Sequence, residues 1–204
     1  MAWNAVGFYW TLPVPWAGFA RLPKEIDEAA KVSRTIRYQR DLIRRYARDE
    51  GYRLVHEEVF LEVEPDRGSE LILTPLRKIC EAENAVLLFV DFWEVARWRA
   101  HWTMADWLRR EKIEMQPIAP REILMDGKLF DPHAHFRAWR EKQWDWTKKK
   151  RERTARACGR ARELREQGHS YRKIADALNK EQLPSPTGRP WTADNIRKLC
   201  FKSS

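Results

Sequence analysis

Hydrophobic positions in the first 125 residues follow two patterns in turn. Apolar runs and alternating residues, which are typical of β-strands, occur in four segments: NAVGFYWTL (4–12), YRLVHEEVFLEV (52–63), AVLLFVDF (85–92) and IEMQPIA (113–119). Segments with a helical pattern lie between them, at 34–51, 69–84 and 100–112. AVLLFVDF is apolar throughout, as expected of a strand that is buried on both faces. The alternation predicts an α/β domain with a parallel sheet flanked by helices on both faces.

The pattern changes after residue 130 to that of one long helix. Asp131 and Pro132 suit its N-cap and first position, and the helical pattern extends to about Arg165. The outward face carries the basic run KKKRER (148–153). The other face carries Phe136, Trp139, Trp144 and Trp146. We interpret this segment as a basic helix that connects two domains.

Two short helices are predicted in the tail, and each follows a suitable N-cap. Ser170 precedes YRKIADALNKE (171–181), and Thr192 precedes ADNIRKLCF (193–201). The connection QLPSPTGRPW (182–191) contains three prolines and a glycine, which exclude a continuous helix. Because neither helix is long enough to be stable alone, we expect their apolar faces to pack together.

The apolar residues of the last helix predict which of its faces points inward. We expect Ile196, Leu199 and Cys200 on the inner face, with the polar residues outward. Gly168 is placed to end the preceding long helix in a left-handed conformation. The chain is thereby divided into an N-terminal α/β domain (1–130), a long basic connecting helix (131–167) and a small helix-turn-helix domain (168–204).

Charge is distributed unevenly along the chain. Residues 137–204 hold 19 Lys and Arg against 8 Asp and Glu, whereas residues 1–136 hold 20 against 22. The net charge of +9 therefore comes entirely from the last third. Such a surplus around a pair of helices indicates a polyanionic partner, and we expect double-stranded DNA. The alternative for the tail is a helical hairpin that packs on its own domain.

A helix-turn-helix places its second helix in the major groove, with the first turn nearest the base edges. We expect sequence preference to come from Asn195 and Arg197, and phosphate contacts to come from Arg189 and the basic arm, residues 148–151. The candidate DNA-binding residues are Lys148, Lys149, Lys150, Arg151, Arg172, Lys173, Arg189, Thr192, Asp194, Asn195, Arg197 and Lys198.

Composition argues against several other classes of protein. No apolar run approaches a membrane span and the N-terminus lacks the pattern of a leader, so we expect a cytoplasmic, nucleoid-associated protein without membrane contact. Cys80, Cys158 and Cys200 lie far apart and are odd in number, which predicts reduced, buried thiols. His133 and His135 do not face each other at this spacing on a helix, so we expect no metal and no cofactor.

The tail resembles the start of the DNA-binding region of large serine recombinases. In that family an IAxxLN helix is followed by a turn with Pro, Thr, Gly and Trp, and then by a TxxxVxxIL helix. The matching residues are Ile174, Asn179, Pro186, Thr187, Gly188, Trp191 and Thr192. An α/β domain, a long helix and such a tail together resemble a serine recombinase of the resolvase and invertase type. The resemblance implies a resolvase-like parallel sheet, a DNA partner and a homo-oligomer, either a dimer or a tetramer.

The nucleophile of that family is not matched. There a serine just after the first strand, in a pattern like YxRxS, attacks a DNA phosphate. In one register Trp10 stands at the arginine and Leu12 at the serine. In a second register Arg21 matches the arginine, but Pro23 stands at the serine. Thr11 is nearest in chemistry, yet strand alternation points it to the opposite face.

The phosphate-binding arginines of the family are matched only in part. Arg67 in DRGSEL is a candidate for one of them, and Arg97 is the arginine that survives where the family's DRLGR aligns with WEVAR (93–97). Glu94 stands at another arginine position and would repel a phosphate. We treat Arg67 and Arg97 as vestigial, and we predict that cleavage chemistry has been lost.

The leading hypothesis is a non-catalytic DNA-binding protein, regulatory or architectural, on a serine-recombinase scaffold. The first alternative is an active recombinase with an unconventional nucleophile or a catalytic partner subunit. The second is an interaction module whose N-terminal domain binds another protein while the tail tethers it to DNA.

Overall fold

The computed structural model describes residues 3–14, 16, 19, 21–62, 69–96, 106, 109–110 and 113–201. The chain divides into two compact units. The first comprises Met1–Pro13 and Arg21–Ala138, and the second comprises Val14–Ala20 and Trp139–Ser204. No helix within the described ranges is both long and apolar enough to cross a membrane.

The described residues form six strands and seven helices. The strands are β1 (Trp3–Thr11), β2 (Tyr52–Leu61), β3 (Ala85–Val90), β4 (Met115–Ile118), β5 (Ile123–Met125) and β6 (Lys128–Phe130). The helices are α1 (Ile26–Val32), α2 (Arg34–Asp49), α3 (Ser69–Glu83), α4 (Pro132–Lys148), α5 (Lys150–Glu166), α6 (Tyr171–Lys180) and α7 (Ala193–Cys200).

A four-stranded parallel sheet forms the centre of the first unit, with strand order β2-β1-β3-β4. Helices α2 and α3 both pack against the three strands β1, β2 and β3. Every residue of β3 is buried, so both faces of this strand are covered, as its uninterrupted apolar sequence predicts. The prediction of a mixed α/β fold with a parallel sheet is confirmed.

The carboxyl end of β1 is held by the side chain of Gln39, which is fully buried on α2. Gln39 Oε1 accepts a hydrogen bond from Trp10 N at 3.2 Å, and Nε2 donates to Trp10 O at 2.7 Å. β3 pairs with β1 only as far as Phe8. Gln39 therefore provides hydrogen-bond partners for the N–H and C=O of Trp10, which lie beyond the end of this pairing. Buried backbone groups require such partners.

Two elements of the first unit differ from the sequence-based prediction. Helix α1 precedes α2 and is separated from it by Ser33, whose Oγ accepts from Ile36 N at 3.3 Å and so caps α2. The hairpin β5–β6 follows the last predicted strand. Its turn residues, Asp126 and Gly127, have φ values of +54° and +71°, as the favoured two-residue hairpin turn requires. The predicted helix at 100–112 falls mostly outside the described residues.

The single long helix predicted between residues 131 and 165 is two helices, so this prediction is wrong. Lys149 lies between α4 and α5 with φ −85° and ψ 8°. Its N–H still donates to Asp145 O at 3.1 Å, so the break is local. The hydroxyls of Thr147 and Thr154 each donate at 2.9 Å to the carbonyl four residues earlier, a bond that bends helices.

Helices α5, α6 and α7 of the second unit pack around one apolar core. Its buried residues are Ala157, Cys158, Ala161, Leu164, Ile174, Ala175, Leu178, Trp191, Ile196 and Cys200. Leu199 is 51% exposed, which corrects its predicted place on the inner face. Ile196 and Cys200, one helical turn apart, fill that face and leave Leu199 on the flank.

The cysteine prediction is wrong for two of the three residues. Cys158 and Cys200 form a disulfide, with their Cα atoms 4.9 Å apart and a sequence separation of 42. Sequence spacing did not indicate this pairing, because it arises only when α5 and α7 pack side by side. Cys80 is free and buried, and burial raises the pKa of its thiol to about 11.

Left-handed residues end α5 and α6. Gly168 has φ +83°; its N–H donates to Arg165 O at 2.9 Å, and the N–H of His169 donates to Leu164 O at 3.1 Å. This pair of bonds confirms the left-handed cap predicted at Gly168. Gln182, with φ +54°, ends α6 in the same way.

Asn179 and Trp191 fix the connection between α6 and α7. Asn179 Nδ2 donates to Trp191 O at 3.0 Å, and Trp191 N donates to Asn179 Oδ1 at 2.7 Å. The indole N–H of Trp191 donates to Leu183 O at 2.7 Å, and the side chain is only 3% exposed. One asparagine thus satisfies both backbone groups of the residue that anchors the connection.

We predict that Asn179→Ala destabilises the second unit by about 1–3 kcal/mol, because it leaves the backbone N–H and C=O of Trp191 without their partner. The free energy of opening can be measured from amide hydrogen exchange in α6 and α7. Lys180→Ala, at the exposed neighbouring position, is the matched control and should change it by less than about 0.5 kcal/mol. Equal protection in both variants would contradict the role given to Asn179.

Candidate nucleic-acid interface

The start of α7 is fixed by a reciprocal pair of hydrogen bonds. Thr192 Oγ1 accepts from Asn195 N at 3.3 Å, and Asn195 Oδ1 accepts from Thr192 N at 2.7 Å. Such a capping box satisfies two orphan amide groups of the first turn. The prediction of Thr192 as the N-cap is confirmed. The same bonds engage Asn195, the residue expected to read bases, so its Oδ1 atom already has a structural role.

The exposed face of α7 combines two cations with one carboxylate. Asp194 Oδ2 lies 2.7 Å from Lys198 Nζ, and Asp194 Oδ1 lies 3.3 Å from Arg197 Nη2. The hydrogen bond from Lys198 holds the pKa of the Asp194 carboxyl below its ordinary value. The side chains of all three residues are more than half exposed, so this face presents a net positive charge to solvent.

Ala193 and Leu199 are also exposed on α7, and the sequence prediction did not include either as a candidate contact. An exposed apolar residue on a helix that enters a major groove can contact the methyl group of thymine. Ala193 lies in the first turn, where its small size permits close approach. The sequence did contain a signal for this contact, because Ala193 directly follows the predicted N-cap, Thr192.

Three further candidate cations lie at the start of α6 and in the connection between α6 and α7. Arg172 and Lys173 are exposed in the first turn of α6, where Ser170 Oγ accepts from Lys173 N at 3.3 Å and confirms the predicted cap. Arg189 is exposed between α6 and α7. Within the part of the chain that the structure describes, Arg172, Lys173 and Arg189 make no ion pair. Their charges are available to a polyanion.

The basic arm, residues 148–151, is exposed at every position and includes the break at Lys149. Lys148 Nζ lies 5.5 Å from the ring centre of Trp144, which is itself 70% exposed. Next to the arm, the guanidinium of Arg153 lies 3.5 Å over Trp146, and desolvation lowers the pKa of Arg153. The arm thus consists of solvated cations beside one cation that is covered by an aromatic ring.

Not every cation of the second unit is available. Arg160 donates through Nε and Nη2 to Glu181, with the shortest distance 2.9 Å, and through Nη1 to Glu163 at 3.0 Å. The hydrogen bond from Arg160 lowers the pKa of the Glu181 carboxyl. Arg160 therefore ties α5 to the end of α6, and we do not count it among the phosphate-binding candidates.

The β1 positions that align with the family's catalytic motif have structural roles in the first unit. Trp10 is 2% exposed and packs edge-on against Phe92, with ring centres 6.0 Å apart. Thr11 is also 2% exposed, and its hydroxyl donates to Leu12 O at 3.5 Å. Leu12 packs against the core. These residues supply no exposed nucleophilic atom at the carboxyl end of β1.

The other positions that align with motifs of the serine recombinases are either exposed or outside the described residues. Arg67 and Arg97 lie outside the described residues. Glu94 is exposed after β3, and Arg21 and Pro23 are exposed before α1.

No metal-binding arrangement is present among the described residues, where no group of three or more His, Cys, Asp or Glu side chains could hold an ion. His133 is exposed on α4. His135 Nε2 lies 3.2 Å from Thr35 Oγ1, and its ring packs against Phe130 and Phe136. His135 therefore has a packing role.

The second unit is also the region that resembles a known family. The family model described as Recombinase matches residues 139–200, which span α5, α6 and α7. No curated protein and no solved structure matches the chain. The match likens the second unit, and not the first, to the recombinase family.

Proposed function

We propose that the protein is a non-catalytic DNA-binding protein, with a regulatory or architectural role, built on a serine-recombinase scaffold. The observation that carries the proposal is the helix α7, which is capped by Thr192 and exposes the cations Arg197 and Lys198 on its outer face. Its inner face packs in the apolar core of the second unit, within the region that the recombinase family model matches. In this proposal α6, the connection and α7 act as a helix-turn-helix with a lengthened turn, and α7 enters the major groove.

Phosphate contacts supply most of the affinity in this proposal. The basic arm and the exposed residues Arg172, Lys173 and Arg189 carry charges that can neutralise DNA phosphates and release condensed counterions. Such contacts position a protein on DNA without reading sequence. Sequence preference then depends on α7, where Arg197 can make a bidentate contact with guanine.

The structural role of Asn195 changes how base reading should be assigned. Its Oδ1 atom accepts from Thr192 N, and its Nδ2 atom alone would be left to donate to a base. An asparagine reads adenine best when both of its polar atoms are available. We therefore assign the main base contact to Arg197 and a capping role to Asn195, with Ala193 as an apolar neighbour.

The proposal treats the first unit as lacking cleavage chemistry. It is supported by Leu12 at the expected nucleophile position, by the burial of Thr11 and by the carboxylate of Glu94 where the family has an arginine. A buried hydroxyl cannot approach a phosphate. The protein would act as a dimer or tetramer, as the resemblance implies, and it would be associated with the nucleoid. Its first unit would be free to bind another protein.

We predict that purified protein leaves supercoiled plasmid intact and forms no covalent adduct with DNA that survives denaturation. The physical reason is that the described part of β1 and its carboxyl end present no exposed hydroxyl or thiol. Gel electrophoresis of plasmid and of labelled duplex measures both products. A reproducible adduct that disappears in Thr11→Ala would favour an active recombinase with an unconventional nucleophile. Nicking that requires a second protein would favour a catalytic partner subunit.

We predict that Arg197→Ala weakens binding to a cognate duplex by about 1–3 kcal/mol and binding to random duplex by much less, because the guanidinium that would bind a base edge in bidentate fashion is removed. The cognate site is first selected from a random-sequence library with the whole protein. Arg48→Ala removes the same charge from a 75% exposed side chain in the first unit and should leave both affinities unchanged.

Circular dichroism of each variant is the necessary control for this experiment, because α7 must remain folded. Asn195→Ala is expected to lower the helical stability as well as the affinity, since it removes half of the capping box. If folded Arg197→Ala binds the cognate duplex at full strength, α7 does not read bases there. The interaction-module hypothesis would then take precedence.

A further inference from the structure

A basic pocket lies in the first unit where α1, α2 and the β5–β6 hairpin meet. Its volume is about 460 Å³, within the range of small-ligand sites in proteins. Four cationic side chains and one carboxylate line it, namely Lys31, Arg34, Arg37, Lys128 and Asp126. Ala30 and Met125, both buried, complete the lining with apolar surface.

The positive charge of this pocket is only partly compensated. Lys31 Nζ pairs with Glu28 at 2.6 Å, and Arg37 pairs with Asp126. In the described portion of the chain, neither Arg34 nor Lys128 makes an ion pair. Two cations therefore remain in excess, although residues 1–136 as a whole carry more acidic than basic side chains. The pocket is a local concentration of positive charge and does not reflect the average composition of the unit.

One of the two uncompensated cations rests on a rigid support. The guanidinium carbon of Arg34 lies 5.1 Å from the ring centre of Phe130. Phe130 is 2% exposed and packs against Tyr38, with ring centres 4.6 Å apart. An arginine stacked on a fixed aromatic ring loses less side-chain freedom when it binds an anion, so less binding energy is spent on ordering it.

We propose that this pocket binds a phosphate group, carried either by a free phosphorylated small molecule or by the DNA backbone. Arg34 and Lys128 supply the charge that no protein carboxylate matches. Arg37 is held at the pocket by Asp126 and becomes available when the phosphate replaces that carboxylate. Planar guanidinium groups bind phosphate through two parallel hydrogen bonds, which suits the two arginines of this site.

Asp126 provides a sharp test, because its removal should strengthen binding. Asp126→Asn removes the competing carboxylate and frees Arg37. Asparagine also adopts positive φ readily and precedes glycine in the favoured hairpin turn, so the hairpin should be preserved. The expected result is tighter binding of inorganic pyrophosphate by the whole protein, measured by isothermal titration calorimetry at low ionic strength.

The complementary variant should weaken binding. Arg34→Gln combined with Lys128→Gln removes both uncompensated charges and should weaken pyrophosphate binding about tenfold or more, since each charge-assisted hydrogen bond is worth about that factor. Arg48→Gln, on the same helix α2 but outside the pocket, is the matched control and should bind as the unaltered protein does. Thermal unfolding of each variant verifies that the first unit is intact.

Random-sequence duplex distinguishes the two sources of phosphate. If the double variant also binds duplex more weakly, the pocket takes a backbone phosphate; if duplex binding is unchanged, it takes a free small ligand. The pyrophosphate titration does not require the second unit to bind DNA, so it can succeed even if the proposed function is wrong. Pyrophosphate binding that is absent, or equally strong in the double variant, overturns the proposal.

Discussion

The burial of Trp191 is the interaction on which the second unit depends. Helices α6 and α7 are too short to be stable in isolation, so each needs the common core. Trp191 fills that core from the connection between them, and Asn179 fixes its main chain through two hydrogen bonds. The exposed charges of α7 have a defined position only because this residue is buried, so DNA recognition in our account begins with an apolar contact.

The two units use their residues for different purposes. In the first, the carboxyl end of β1 is occupied by packing: Trp10 contacts Phe92, its backbone is held by Gln39, and Thr11 is buried. These positions align with the segment that carries the nucleophilic serine in the serine recombinases. In the second, apolar residues hold three helices together, and most of the candidate cations are exposed to solvent. Our proposal of a protein that binds DNA without cutting it is based on this division.

Features that depend on neighbouring residues could be predicted from the sequence, whereas features that depend on packing between distant segments could not. Ser170 and Thr192 were predicted as caps because a capping residue acts on amides within its own first turn. The parallel sheet followed from the alternation of strand and helix patterns. The disulfide between Cys158 and Cys200 and the exposure of Leu199 depend on how α7 packs against α5, which periodicity does not specify. The capping role of Asn195 was missed because asparagine is a residue type that suits both capping and base reading, and the sequence does not distinguish the two.

The salt dependence of DNA binding tests the central claim most directly. Binding of the whole protein to cognate and to random duplex is measured over a range of salt concentrations, with and without replacement of Lys148, Lys149, Lys150 and Arg151 by glutamine. Our account predicts that the slope of log affinity against log salt falls by about 0.9 for each phosphate that the arm no longer neutralises, on cognate and random duplex alike. An unchanged slope, or weakening confined to the cognate duplex, would contradict it.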